Sequence, residues 1–281
     1  MNYKIENDKL SLEVASLGAE PISIRYAGKE RLWQNENGSW AGHAPVLFPV
    51  CGHCGITVGE KSYPVGAHGF ARKSKFALRE RGEDFLAFSL CASEQTKRVY
   101  PYDFELNVRY RLQGNSLEVR YEVYNPSSEP LYFACGGHPS FALENPIGEY
   151  EIEFSREESF RSLVHDAGGY LTGTAEDLGA GKSLKLREKY FVDGNTLIFA
   201  DTVSKSAALK TAGKTAVCVT FEGFDNLLLW RPEGARAICI EPWTNLPDPV
   251  QAADTEFCKK RGVIKVCGKE RVERSYTITY F

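Results

Sequence analysis

Three short segments place polar side chains in glycine-rich or apolar surroundings. His68 lies in residues 67–72 (AHGFAR), His138 lies in residues 136–141 (GGHPSF), and Glu241 interrupts the apolar run 237–243 (AICIEPW). Imidazole and carboxylate are the side chains that most readily exchange protons near neutral pH. Two histidines and one glutamate in such settings therefore indicate general acid–base chemistry.

Each of these residues also has a purely structural interpretation. A lone histidine such as His68 is commonly just hydrogen-bonded within the fold. His138 precedes a proline, which favours extended backbone, so we expect its imidazole at the rim of a sheet rather than in a core. Glu241 lies close to Trp243, and partial desolvation there would raise its pKa. The alternative is a buried carboxylate neutralised by an arginine such as Arg231.

Residues 51–54 (CGHC) suggest redox or zinc chemistry at first sight. A thioredoxin-type pair needs a following helix, and a structural zinc site needs a second ligand pair at comparable spacing. The sequence offers neither, and the phosphate-binding glycine motifs and the nucleophile elbow are also absent. The motifs therefore give no support for a nucleotide cofactor or a serine-hydrolase mechanism, and residues 51–54 are interpreted as structural.

Composition narrows the possible partners. The 281 residues are 43% hydrophobic and 25% charged, with 34 Lys and Arg against 37 Asp and Glu. Such a chain can bury a large core but has no basic stripe for nucleic acid. The charged N-terminus and the absence of an apolar stretch of about 20 residues argue against export and membrane insertion. We expect a cytoplasmic monomer or homodimer with reduced thiols.

Alternation of apolar and polar residues, the period of a β-strand, dominates the chain. Residues 104–112 and 117–124 alternate on either side of Gly114-Asn115, which predicts an antiparallel hairpin. Similar hairpins are expected for residues 1–14 and 75–91. Further strands are predicted at 20–26, 131–135, 150–154, 197–199, 216–221, 227–230, 237–241 and 275–281.

Only residues 251–260 have the pattern of a short helix, and the glycine-rich stretch 166–182 is expected to form a surface excursion. The pattern predicts one all-β sandwich domain over residues 1–281.

On this all-β chain, the motifs HGFAR (68–72), GHP (137–139) and IEPW (240–243) occur in an order that resembles the aldose 1-epimerase (galactose mutarotase-like) family. The similarity is closest to the branch encoded in bacterial lactose operons. The resemblance implies a large antiparallel β-supersandwich with a sugar cleft, no metal in the reaction and no organic cofactor. The implied partner is a small-molecule sugar, either a hexose or a phosphosugar.

The resemblance also implies roles for individual residues. Glu241 would be the general base that removes the proton from the anomeric hydroxyl, and His138 the general acid that protonates the ring oxygen. His68 would hydrogen-bond the sugar, with support from Arg72. The ring of Trp243 could stack on the C–H face of a sugar.

Two positions depart from the pattern of the family branch. His53 stands where an arginine is usual, and Asn195 aligns where an aspartate commonly contacts sugar hydroxyls. The side chains at both positions would contact the sugar without taking part in the reaction. The identity of the preferred sugar therefore stays open. Two other functions also stay open: a non-catalytic sugar-binding or regulatory protein, and a hexose-6-phosphate 1-epimerase that uses Lys97 and Arg98.

Overall fold

The computed structural model describes residues 1–251 and 255–281, and most of their regular structure is β-strand. In chain order the strands are β1 (Asn2–Glu6), β2 (Leu10–Ala15), β3 (Pro21–Tyr26), β4 (Lys29–Glu30), β5 (Val46–Leu47), β6 (Ile56–Val58), β7 (Lys61–Tyr63), β8 (Ala77–Arg81), β9 (Phe85–Cys91), β10 (Glu105–Gln113), β11 (Ser116–Tyr124), β12 (Leu131–Phe133), β13 (Gly136–Gly137), β14 (Ser140–Ala142), β15 (Tyr150–His165), β16 (Leu171–Lys185), β17 (Leu197–Phe199), β18 (Ser206–Thr211), β19 (Lys214–Thr220), β20 (Asn226–Trp230), β21 (Ala237–Trp243), β22 (Ile264–Val266) and β23 (Arg271–Tyr280). Helical structure in the described residues is limited to α1 (Glu94–Lys97) and the 3-10 segments Ala71–Lys73, Ile147–Glu149, Glu188–Gly194 and Phe257–Lys259.

Two large antiparallel sheets dominate the fold. The larger has nine strands in the order β16-β15-β18-β19-β23-β11-β10-β9-β8. The second contains β17-β20-β21-β13-β5, and β14 pairs with β21 beside this path. A four-stranded sheet β1-β2-β3-β4 and the pairs β12-β22 and β6-β7 complete the architecture. This is the antiparallel β-supersandwich that the sequence predicts.

Successive side chains of β21 point alternately towards the buried core and towards the opposite face of the sheet. Ile238 and Ile240 belong to the main buried cluster, together with Val108 of β10 and Ile278 of β23 in the nine-stranded sheet. Successive side chains of a strand point to opposite faces. Glu241 therefore lies on the face of the six-stranded sheet that turns away from this core.

The three predicted hairpins are confirmed. β10 pairs with β11 from Glu105↔Tyr124 to Gln113↔Ser116, β1 pairs with β2, and β8 pairs with β9. In each case a short turn joins the two strands. Local sequence therefore suffices to define these pairs.

Two local predictions need correction. The expected surface excursion 166–182 is mostly strand, because β16 pairs with β15 along a long hairpin. The residues of β16 are largely exposed on both faces and the ladder contains register shifts, so the alternation that marks a strand is lost. Of the predicted helix 251–260, residues 252–254 lie outside the described residues, and Phe257–Lys259 forms a single 3-10 turn. No helix in the described ranges is long and apolar enough to span a membrane.

Candidate active site

A cavity of about 260 Å³ opens on the face of the six-stranded sheet that carries Glu241. Six of the seven residues predicted for the site line it: His53, His68, Arg72, His138, Glu241 and Trp243. Small-molecule pockets usually have volumes of about 300–1,000 Å³. This cavity lies near the lower end of that range, which suits a monosaccharide better than a nucleotide.

Glu241 is buried at the floor of the cavity, with 1% of its surface exposed. Burial raises the pKa of its carboxyl well above the ordinary value, as expected for a carboxylate taken out of water. The arginine expected as a structural partner is engaged elsewhere. Arg231 donates to Glu188 Oε2 at 2.8 Å and also bonds the carbonyl oxygen of Ala235. Arg231 therefore does not neutralise Glu241.

His138 lies between β13 and β14, and its backbone N–H donates to the carbonyl oxygen of Pro45 at 3.2 Å. Its Nε2 is 3.3 Å from Glu241 Oε2. The Trp40 ring stacks on the imidazole at 5.0 Å between centroids, and the Trp230 ring meets it edge-on at 5.6 Å. Because the imidazole is buried, its pKa falls to about 3. The side chain is thus enclosed at the cavity wall rather than standing at an open sheet rim.

His68 is held in an unusual backbone conformation with φ of 62°, a region that non-glycine residues rarely adopt. Its N–H donates to the carbonyl oxygen of Gly52 at 2.9 Å, and its Nδ1 accepts from the N–H of Gly52 at 3.2 Å. The proton of the neutral ring is therefore on Nε2. Burial lowers the pKa of His68 well below its ordinary value. His68 is thus a neutral hydrogen-bond donor.

The next residue, Gly69, fixes the position of this loop. A Cβ at Gly69 would lie 2.0 Å from the carbonyl oxygen of Phe48, and its φ is 71°. Only glycine combines this backbone conformation with such a close approach. The loop that carries His68 can therefore pack directly on the strand segment ending at Phe48.

Arg72 and His53 occupy other parts of the lining. Arg72 Nη2 donates to the carbonyl oxygen of Ala67 at 3.0 Å, and its buried Nε has no hydrogen-bond partner in the described residues. Burial lowers the pKa of this guanidinium. The His53 ring lies 5.1 Å from the ring of Tyr170. Both residues leave polar groups for a ligand.

Asn195 does not reach the cavity, contrary to the prediction. Its Nδ2 donates to the carbonyl oxygen of Tyr190 at 2.8 Å, so the side chain is turned back onto its own loop. Thr196 and His165 form this part of the lining instead. His165 has both ring nitrogens engaged, at 2.8 Å from the Asp166 carbonyl oxygen and at 3.1 Å from the Thr196 nitrogen.

Sequence reasoning assigned no role to several apolar lining residues. Leu228 and Trp230 lie on β20, where Leu228 is paired in register with Glu241. Their alternation places both on the face of the sheet that carries the glutamate. The alternation along β20 predicts these lining residues only once it is known that β20 and β21 are neighbours in the sheet.

One set of donors in the described residues could also hold a metal ion. A ring nitrogen of His138, Cys239 Sγ and a carboxylate oxygen of Glu241 lie within 4.8 Å of one another. All three residues are buried. The site thus offers two kinds of chemistry, proton transfer and cation binding.

The antiparallel fold and this cavity are typical of an enzyme that acts on a small molecule. The sequence model of the aldose 1-epimerase family matches residues 1–257, and the chain belongs to this family. It is therefore an isomerase of the epimerase type with a sugar substrate.

Individual relatives are similar over the whole chain or over half of it. Protein LacX (plasmid) of Lactococcus lactis subsp. lactis is 31% identical over 298 aligned positions including gaps, and the alignment covers 99% of this chain and 99% of that one. The structure of a galactose mutarotase related enzyme from Lactobacillus acidophilus has a TM-score of 0.91 at 28% identity, covering 100% of this chain and 97% of that one. An Escherichia coli (strain K12) protein with the provisional name glucose-6-phosphate 1-epimerase is 31% identical over 147 residues, 47% of this chain and 48% of that one.

Proposed function

We propose that this protein interconverts the α and β anomers of an uncharged hexose, with Glu241 and His138 transferring the protons. The observation that carries the proposal is the separation of 3.3 Å between His138 Nε2 and Glu241 Oε2. O1 and O5 of a pyranose are bonded to the same carbon, so the two groups that serve them must lie side by side. A retaining glycosidase instead needs two carboxylates about 5 Å apart, and Glu241 is the only carboxylate in the cavity lining of the described residues.

The reaction needs no nucleophile. Glu241 takes the proton of the O1 hydroxyl while His138 gives a proton to O5, so the C1–O5 bond breaks and an aldehyde forms. Rotation about C1–C2 then turns the other face of C1 towards O5. Closure returns a proton to O1 from Glu241 and takes the O5 proton back to His138. After closure, His138 and Glu241 together carry the same number of protons as before ring opening.

Burial sets the resting state of this pair. It disfavours both charged forms, so the pKa of Glu241 is raised and that of His138 is lowered. Both shifts therefore favour a carboxylic acid beside a neutral imidazole in the free pair, the arrangement that closes the ring. Moving the single proton from Glu241 to His138 gives the arrangement that opens it. Both arrangements are neutral overall, which suits a buried site.

The remaining lining residues are suited to holding a sugar. His68 offers an Nε2–H and Arg72 offers a guanidinium, which are donors for hydroxyl oxygens. The rings of Trp40 and Trp243 supply flat apolar surface for C–H faces. These groups would orient the pyranose with C1 against the acid–base pair.

The charge of the cavity favours an uncharged substrate over a sugar phosphate. Arg72 is the only Lys or Arg in the lining of the described residues. Neither of the cations considered from sequence lines the cavity, and Lys97 instead pairs with Asp103 at 2.7 Å. A phosphate dianion is ordinarily held by several charge-assisted hydrogen bonds. We therefore propose glucose or galactose as the substrate class.

The test is polarimetry of freshly dissolved α-galactose and α-glucose with the wild-type protein and two variants. Glu241→Gln and His138→Asn are each expected to lower the mutarotation rate by about 10²- to 10⁴-fold, because each removes one proton-transfer group. His43→Asn is the matched control, since His43 does not line the cavity. Calorimetry should show that both active-site variants still bind galactose.

Each alternative function has its own outcome. Full activity in both variants would refute the assigned roles. Hexose binding by the wild-type protein without any rate enhancement would instead identify a sugar-binding or regulatory protein. Faster epimerisation of glucose 6-phosphate than of glucose would identify a phosphosugar epimerase.

A further inference from the structure

The proposed reaction leaves a buried thiol beside its acid–base pair without a role. Cys239 is two residues before Glu241 on β21, so both side chains lie on the same face of the strand. Cys239 is 0% exposed, and burial raises the pKa of its thiol. Its Sγ, a His138 ring nitrogen and a Glu241 carboxylate oxygen lie within 4.8 Å of one another. Glu241 Oε2 is buried and has no hydrogen-bond partner in the described residues.

This donor set matches the preferences of zinc. Zn²⁺ binds thiolate, imidazole and carboxylate at about 2.0–2.3 Å, and sites with three protein ligands keep a fourth position open. Tetrahedral coordination at those bond lengths separates the ligand atoms by about 3.5 Å. The three donors would therefore need to approach one another by only about an ångström. The cavity, which His138 and Glu241 both line, supplies the open position.

Charge balance also suits a divalent cation. When Zn²⁺ binds, the Cys239 S–H bond breaks, the Zn–S bond forms, and the thiol proton passes to the buffer, together with any proton held on His138 or Glu241. The ion then faces one thiolate, one carboxylate and one neutral imidazole, and the charges of the ion and its ligands sum to zero. Such compensation matters because uncompensated charge in a buried site is costly.

We propose that His138, Cys239 and Glu241 form a reversible Zn²⁺ site, and that the bound ion stops sugar epimerisation by occupying the two side chains that would transfer the protons. The binding part stands on the donor geometry alone. The inhibitory part rests on the proposed function, because it assumes that the pair transfers protons to a sugar. The open coordination position would then take water or a sugar oxygen.

The binding test uses Co²⁺ and Zn²⁺ with the full chain. Co²⁺ added to the wild-type protein should give the near-ultraviolet charge-transfer band of a cobalt–thiolate bond, and Zn²⁺ should displace it. Cys239→Ala should abolish the band and weaken Zn²⁺ binding by about 100-fold or more, since even the loss of outer partners costs about 10- to 100-fold. Cys239→Ser keeps the size of the side chain and should also abolish the band. Cys218→Ala on β19 is the matched control and should retain it.

The second readout is proton release. Calorimetry of Zn²⁺ binding in two buffers of different ionisation enthalpy should report about two protons released by the wild-type protein. Zn²⁺ should also inhibit mutarotation by the wild-type protein, and this inhibition should be lost in Cys239→Ala and Cys239→Ser when each variant is compared with its own rate without metal.

The outcomes separate the two proposals. A charge-transfer band or Zn²⁺ affinity that is unchanged in both Cys239 variants would overturn the metal site, because the thiolate would then come from another cysteine. If Zn²⁺ binds through Cys239 but the protein has no mutarotase activity, the metal site is supported and the proposed function is refuted. Zn²⁺ bound through Cys239 without any effect on an active enzyme would refute the inhibitory part.

Discussion

At the scale of single residues, one environment has opposite effects on an acid and a base. The same desolvation raises the pKa of Glu241 and lowers that of His138, because in each case it disfavours the charged form. Neither side chain has a strong opposite charge that would reverse this effect. Both shifts favour the state in which the pair carries one proton, and the proposed ring opening and closure require one proton on the pair.

This arrangement predicts an unusually flat pH profile. The pKa of His138 is lowered to about 3 and that of His68 also lies well below its ordinary value. Neither ring gains a proton as the pH falls through about 6.5, the ordinary histidine value. We therefore expect no loss of kcat/KM for galactose as the pH falls from about 7 to about 5. It should fall only at more acidic pH, where the pair gains a second proton and no base is left.

The measurement is the initial rate of mutarotation by polarimetry across this range, corrected for the buffer-catalysed reaction. His53→Asn is run in parallel, since His53 is another imidazole of the same cavity. A clear inflection near pH 6.5 in both proteins would contradict the picture of a buried neutral His138.

Residue types and motifs predict which candidate reactive groups line the cavity but not every lining group. His68, His138 and Glu241 were predicted from short motifs in a recognisable order, and all three line one cavity. Asn195 was predicted in the same way, yet its amide bonds Tyr190 instead. A motif fixes where a residue lies in the chain, whereas the direction of its side chain depends on neighbours that the motif does not contain.

At the scale of secondary structure elements, local pattern predicts hairpins only where one face is buried. The β10 and β11 strands alternate strictly between buried and partly exposed positions, and their pairing was predicted. The long hairpin of β15 and β16 lacks this alternation through most of its length. Its ends nevertheless matter for the site, because His165 and Gly169 at its tip line the cavity.

The loop that presents His68 provides a test at this scale. Gly69→Ala should lower the free energy of unfolding by about 2–4 kcal/mol, because the new Cβ would meet the Phe48 carbonyl oxygen in a left-handed conformation. Gly66→Ala in the same loop is the control, since a Cβ there meets no atom within 4 Å. We expect a change of no more than about 0.5 kcal/mol for Gly66→Ala. Urea unfolding followed by tryptophan fluorescence gives both values, and equal stability of the two variants would refute this account of the loop.

At the scale of the whole molecule, the site depends on pairings between distant segments. β13 has two residues and lies between β21 and β5. The position of His138, which follows β13, therefore depends on pairing with a strand near residue 46 and a strand near residue 240. Strands this short carry no alternation, and strand order across some 90 residues is not encoded in a local pattern. The sequence therefore predicts the class of fold, whereas the order of the strands in the six-stranded sheet required the structure.

The same connectivity predicts cooperative unfolding of the whole chain. One buried cluster runs from Ile5 in β1 to Tyr280 in β23 and includes residues of both large sheets, so neither sheet can lose its inner face without exposing the other. Differential scanning calorimetry should show one transition with an enthalpy of about 200 kcal/mol near 60 °C and a van't Hoff enthalpy equal to the calorimetric one. Added galactose should shift the entire transition upwards, since it binds only the folded state. Two transitions, or a van't Hoff enthalpy of about half the calorimetric value, would mean that residues 1–281 comprise more than one domain.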